Sequence, residues 1–209
     1  GSMQHNTFFV QNAPIYTPLP TVVKKQNAFL YNGTATPWFG LYNCLDFVKK
    51  YPQFSLTFKG AFAAAEKATV DELYKEEIDN GVVVFNKEYM ESSNMLMFMS
   101  QYEIGFCFYD LSSPKINTFN YHTAPSGKMF AYLAAGVPVI GNDLDGLRVV
   151  EDYEAGILIK DFEPDTILNA VNTIKLNYDF YKNNCYKAAQ HYSFDKNVAP
   201  FVEFLIKGA

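Results

Sequence analysis

Histidine and cysteine are scarce in this chain. Its 209 residues include three cysteines, Cys44, Cys107 and Cys185, and three histidines, His5, His122 and His191. The cysteines are far apart and odd in number, which argues against a disulfide framework and for a reducing compartment. No pair has metal-ligand spacing, so neither a metal site nor a metal cofactor is expected. A basic excess is also missing, since 17 Lys and Arg stand against 22 Asp and Glu for a formal net charge of −5. That balance argues against nucleic acid as a partner. The many Phe and Tyr residues lack the basic interleaving of a base-stacking platform. No apolar run is long enough to cross a bilayer, the stretch 102–110 being too short, and no secretory leader pattern is present. The chain reads as soluble and cytoplasmic, with peripheral contact at the inner face of a membrane left open.

What is present is core-forming material. Apolar residues make up 49% of the chain and aromatics 17%, enough to line both faces of a sheet. Gly1-Ser2 reads as the scar of a cleaved tag. Residues 3–26 carry Pro14, Pro18 and Pro20 and little periodicity. They read as a linker with a short extended piece at 8–10, so the expected division is 1–26 tag scar and linker, 27–209 folded domain. Strands are expected at 28–31, 55–58, 82–85, 104–109, 137–140 and 156–159. Helices are expected at 38–50, 61–79, 89–101, 127–135, 146–152, 163–176, 178–190 and 197–207. In the first of these, Leu41, Leu45 and Val48 fall at i, i+4 and i+7. Residues 110–126 read as a long polar loop. Alternation of strand and helix predicts an α/β fold: one domain with a doubly wound, Rossmann-like parallel sheet and helices on both faces.

The chemistry concentrates at Ala124-Pro125-Ser126-Gly127-Lys128-Met129, which opens the helix expected at 127–135. Ser126 is a candidate N-cap. The first amides of the helix, with its dipole, form a natural anion site that Lys128 can close from the side. Ala131 and Ala135 share a helical face with Lys128 and leave room beside it. Gly33, after the first strand, lets the backbone approach a ligand or simply turns the chain. Lys59 ends the second strand and either reaches the same anion or lies in a surface turn. Phe85 and Asn86 end the third strand, Tyr109 the fourth, and His122 sits in the long loop. Each has an ordinary structural reading beside the ligand-binding one. The methionines near 90–99 read as helix packing.

The order of these pieces resembles the C-terminal, nucleotide-sugar-binding domain of GT-B glycosyltransferases of the group 1 type. Pro125-Ser126-Gly127-Lys128-Met129-Phe130-Ala131-Tyr132-Leu133-Ala134-Ala135-Gly136-Val137-Pro138-Val139-Ile140 is similar to that family's Pro-x-Lys-x-x-Glu-Tyr-Leu-Ala-Ala-Gly-x-Pro-Val-Ile motif, with one residue extra before the lysine. Tyr31-Asn32-Gly33 with Trp38-Phe39-Gly40 resembles the opening of one branch. Tyr192-Ser193-Phe194-Asp195-Lys196 resembles the closing motif, and Val10-Gln11-Asn12-Ala13-Pro14 the link between the family's two domains. The resemblance implies a nucleotide-diphosphate sugar as substrate, no further cofactor, and an N-terminal acceptor domain as partner. It implies donor contacts at Gly33, Thr34, Lys59, Phe85, Asn86, Tyr109, His122, Ser126, Gly127, Lys128 and Met129, and a cell-envelope polysaccharide or glycolipid as product. It names no catalytic residue here. The departures are Thr34 and Phe39 where many members carry a cationic clamp, and Thr123 and Ala131 where many carry a Glu pair. These keep a second expectation in play, a degenerate binding or interaction module of the same fold.

Overall fold

Six short apolar runs pair into one all-parallel sheet in the order β3-β2-β1-β4-β5-β6. The computed structural model describes residues 7–111 and 119–207. The strands are β1 (Ala28–Asn32), β2 (Ser55–Lys59), β3 (Val83–Asn86), β4 (Ile104–Cys107), β5 (Val139–Asn142) and β6 (Gly156–Ile159). The registers are continuous, with Phe29 opposite Leu56 and Ile104, and Gly105 opposite Val139. The inner strands β1, β4 and β5 bury both faces, as parallel strands covered by crossover helices do, while the edge strand β3 leaves Val84 exposed. On β1, Phe29 and Tyr31 enter one core cluster while Ala28 and Leu30 enter the other.

The first cluster is covered by α1 (Leu41–Lys50) and α8 (Pro164–Leu176), which pack on each other as well as on the sheet. Its centre is aromatic: Phe47 and Phe54 stack at 5.6 Å, and both approach Phe29. The second cluster is covered by α4 (Ser92–Met99), α6 (Gly127–Ala134) and α9 (Tyr178–His191), with α6 against α9 as the main helix pair. The doubly wound, single-sheet architecture expected from the sequence is therefore the observed one.

Local departures have physical causes. The helix expected over 38–50 is split. A 3₁₀ turn at Pro37–Phe39 ends on Gly40, whose φ of 73° no β-branched or bulky residue adopts readily, and α1 starts after it. The helix expected over 61–79 divides into a 3₁₀ turn at Ala64–Glu66, α2 (Lys67–Leu73) and α3 (Lys75–Asp79). Tyr74 breaks it, buried and donating its hydroxyl to Asp46 Oδ1 at 2.6 Å. The strand expected to reach residue 109 stops pairing at Cys107, because the Asn142 side chain takes over the Tyr109 backbone, accepting its N–H and donating to its C=O, each at 3.0 Å.

Within the loop expected at 110–126, residues 119–123 form α5 (Phe119–Thr123), and residues 112–118 lie outside the described part. A short helix, α7 (Val149–Asp152), precedes β6. The last helix, α10 (Phe194–Lys207), begins three residues earlier than expected. Residues 8–10 form no strand; Phe8 packs on Phe201 and Phe204 of α10 instead.

Candidate functional site

The order of the sheet reverses between β1 and β4, so their carboxyl ends diverge and leave a crevice where ligands of open α/β sheets collect. Here the crevice is a cleft of about 420 Å³. One wall is the β1 exit, Asn32, Gly33 and Thr34, with Phe39 from the following turn. The other is Tyr109, Asn120 and residues 124–128.

Residue Tyr132 fixes the distance between these walls. It projects from α6 into the sheet, fully buried. Its hydroxyl accepts the Asn32 N–H at 2.6 Å and donates to the Leu30 carbonyl at 3.0 Å. The helix that forms one wall is thus pinned to the strand that forms the other.

The start of α6 faces the cleft. Ser126 holds the N-cap position with extended backbone, as expected, but its side chain makes no capping bond. Its Oγ is instead an acceptor for the Tyr109 hydroxyl at 2.7 Å and the Cys107 thiol at 3.4 Å. Among the described residues, the amides of Gly127, Lys128 and Met129 have no partner, and the first helical bond runs from the Phe130 N–H to the Ser126 carbonyl. Three parallel donors at the positive end of a helix dipole therefore stay open.

The ammonium of Lys128 lies in a cage of three rings, 4.7 Å from the centres of Tyr31 and Tyr109 and 4.9 Å from that of Phe39. It donates to the Tyr31 hydroxyl at 3.3 Å. The residue as a whole is part-exposed. Burial of its charged end holds its pKa below the usual lysine value, only partly opposed by the nearby thiols of Cys107 and Cys44. Burial likewise pushes the Tyr31 phenol and the Cys107 thiol up, so both stay neutral beside the lysine. Ring faces stabilise a cation without neutralising it, and the ammonium keeps its attraction for an anion in the cleft. Arg148 is already engaged by Asp143, Asp145 and Glu151.

Of the candidate residues, Gly33, Thr34, Tyr109, Ser126, Gly127 and Lys128 line the cleft. Met129 is fully buried in the core, and only its amide belongs to the helix start. Lys59 is 2% exposed, donating to Asn86 Oδ1 at 2.9 Å and to the Glu88 carbonyl. Asn86 is occupied by that bond and by the Glu88 N–H. Phe85 stacks on Phe58 at 5.0 Å and meets Phe62 at 4.6 Å. These three brace the β2–β3 edge and do not line the cleft. His122 is exposed on α5, also outside the lining.

The sequence did not single out Tyr31, Asn32 and Asn120 as wall or cage residues, and it gave Phe39 a place in the opening motif and the loss of a clamp, but no contact with the site. The available sign was Tyr31-Asn32 directly before a glycine at a strand end. Asn12 was also missed: its side-chain amide lies 3.2 Å from where a side chain on Gly127 would begin, so the N-terminal segment passes the mouth of the site. Among the described residues, no cluster of His, Cys, Asp or Glu could hold a metal ion, and no helix is long and apolar enough to cross a membrane.

No protein-family model and no curated protein matches the chain. Solved structures do match, and they show the fold. The pneumococcal O-GlcNAc transferase GtfA, solved with UDP and GlcNAc, aligns over 95% of this chain and 38% of its own, with TM-score 0.67 and 11% identity. Anabaena HepE with UDP aligns over 87% of this chain and 49% of its own, with TM-score 0.64 and 17% identity. The C-terminal domain of the group 1 glycosyltransferase LpcC from Francisella tularensis aligns over 85% of this chain and 87% of its own, with TM-score 0.59 and 13% identity. This chain spans two fifths to half of the first two and nearly all of the isolated domain. Its fold is that of the C-terminal half of GT-B glycosyltransferases.

Proposed function

We propose that this chain is the donor-binding half of a glycosyltransferase and holds a nucleotide-diphosphate sugar in the cleft between β1 and α6. The observation that carries the proposal is the trio of unbonded amides at 127–129 beside the caged Lys128 ammonium, at the reversal point of the sheet. A pyrophosphate is the anion such a port suits: it needs several parallel donors and a cation at one side. That HepE and GtfA were solved with UDP supports the nucleotide part.

In glycosyl transfer, negative charge builds on the departing diphosphate. Amide dipoles already fixed in place, with a lysine seated among three rings, stabilise that charge with little reorganisation. The chain's own contribution is therefore to hold and neutralise the leaving group. The acceptor, a cell-envelope saccharide or lipid-linked sugar, is proposed to enter from a separate N-terminal acceptor domain. Within 1–26, residues 3–26 beyond the tag scar would join that domain to the folded body at 27–209, and the work would take place in the cytoplasm or at the inner membrane face.

A second reading has its own support. Among the described residues, no Asp or Glu lines the cleft, and none there stands as a general base or a ribose-binding carboxylate. That composition suits a degenerate module that binds without catalysing. Calorimetric titration with UDP, UDP-glucose and UDP-GlcNAc tests the proposal. Saturable binding that weakens when Lys128 is replaced supports it. Absence of binding, with the amide signals of residues 127–129 unmoved by any of the three, overturns it and favours the second reading.

A further inference from the structure

A second pocket lies on the far side of α6, at the helix's carboxyl end. It has a volume of about 220 Å³ and is closed on one side by the proline-bearing segment 16–24. Lys24, Lys182, Tyr16 and Tyr186 supply its polar lining, with Thr21 and Ser100 beside them, and among the described residues no carboxylate lines it. Lys24 donates to the Tyr102 carbonyl at 2.8 Å. Among the described residues, Lys182 has neither a hydrogen-bond nor an ion-pair partner. The carboxylate that acts on Lys24 is Glu103, which is already bound by Lys175 at 3.1 Å and by the Asn27 N–H at 2.9 Å.

Helix ends offer one reason for lysines to gather here, because α4 and α6 both finish at this pocket. Each such end carries about half a negative charge. Two ammoniums against two half-charges leave about one positive charge uncompensated in a recess. Burial, joined by the neighbouring Lys182 charge, lowers the pKa of Lys24 to about 8. An anion seated between the two lysines would remove that penalty, and the phenols and the Thr21 hydroxyl can donate to its remaining oxygens.

We infer that this pocket binds a small phosphate-class oxyanion, held by Lys24 and Lys182 and separate from the cleft at the other end of α6. The recess favours a free phosphate or a small phosphorylated metabolite over a lipid headgroup, which would need an open surface. The site also touches the helix that forms the candidate donor port. Tyr186 lies over Gly136, so close that a Cβ there would sit 2.3 Å from its ring and hydroxyl. The inference does not rest on the donor reading.

The test is an amide-resolved NMR titration of the full chain with inorganic phosphate, at ionic strength held constant with chloride. Saturable shifts are expected at Thr21, Val22, Ser100 and Ala135, with affinity reduced about 10-fold in Lys182→Gln, a part-exposed position whose replacement leaves the core intact. Shifts confined to residues 127–129, no saturable response near residues 21–22, or unchanged affinity in Lys182→Gln would each overturn it. A parallel arm uses vesicles of anionic phospholipid. Signals that move with vesicles but not with free phosphate would overturn it in favour of a lipid surface.

Discussion

The Lys128 ammonium faces the Tyr31 hydroxyl at 3.3 Å across a cage of three rings, and no carboxylate pairs with it among the described residues. A cation held this way is poorly compensated in the free protein and well placed for an incoming anion. Replacing it should therefore act oppositely on stability and on binding. Lys128→Met keeps the length of the side chain and removes the desolvated charge. Unfolding by urea should show stability unchanged or slightly raised. Calorimetry should show UDP affinity lowered about 10- to 100-fold, the range of a lost charge-assisted bond. A variant that loses stability and keeps affinity would contradict the site assignment.

The Tyr132 hydroxyl joins α6 to β1 through the Asn32 N–H and the Leu30 carbonyl. Tyr132→Phe leaves a buried donor without its partner, and such a group costs about 1–3 kcal/mol. Chemical denaturation should report a loss in that range. UDP binding should weaken as well, since the two walls of the cleft lose their tie.

Gly40 and Gly81 share nearly the same backbone, φ 73° and 72°, in different surroundings. A Cβ at Gly40 would lie 2.5 Å from the Phe108 Cβ, whereas at Gly81 it would meet nothing within 4 Å. Gly81→Ala should cost only the left-handed backbone term, about 1–2 kcal/mol. Gly40→Ala adds overpacking worth about 1–3 kcal/mol. Thermal melts of the two variants should therefore separate clearly, with Gly40→Ala the lower.

Lys24 gives a pH signature. Its folded-state pKa is lowered to about 8, while the unfolded chain titrates near the ordinary lysine value. Between these values the unfolded state binds more protons, so this group's contribution to stability rises with pH. Below pH 8 the penalty is constant. Urea unfolding from pH 8 to 9.5 should show wild type gaining stability relative to Lys24→Met. The window closes near pH 10, where tyrosines of the unfolded chain ionise while buried phenols such as Tyr31 and Tyr178 hold their protons.

The alternation of elements was legible because each strand is a short apolar run closed by a polar or glycine turn, and each long helix carries one apolar face. Breaks within helices were less so. Tyr74 looks like any helical tyrosine until its bond to Asp46, 28 residues earlier in the chain, is visible. The same holds at the site. The helix start could be placed from Pro125-Ser126-Gly127, because caps and dipoles are local. The commitments of Lys59 to Asn86 and of Ser126 to Tyr109 depend on neighbours that only the folded sheet brings together. The cage around Lys128 likewise draws on Tyr31, 97 residues away in sequence.

The bond between Tyr109 and Ser126 has a wider meaning. A serine before a helix normally turns inward and strengthens it, by about 1 kcal/mol. Here a phenol leaving the neighbouring strand keeps that hydroxyl turned aside. The domain forgoes local robustness at one residue and leaves the first amides of that helix unsealed, so the proposed port and the endurance of the fold are set against each other at a single oxygen atom.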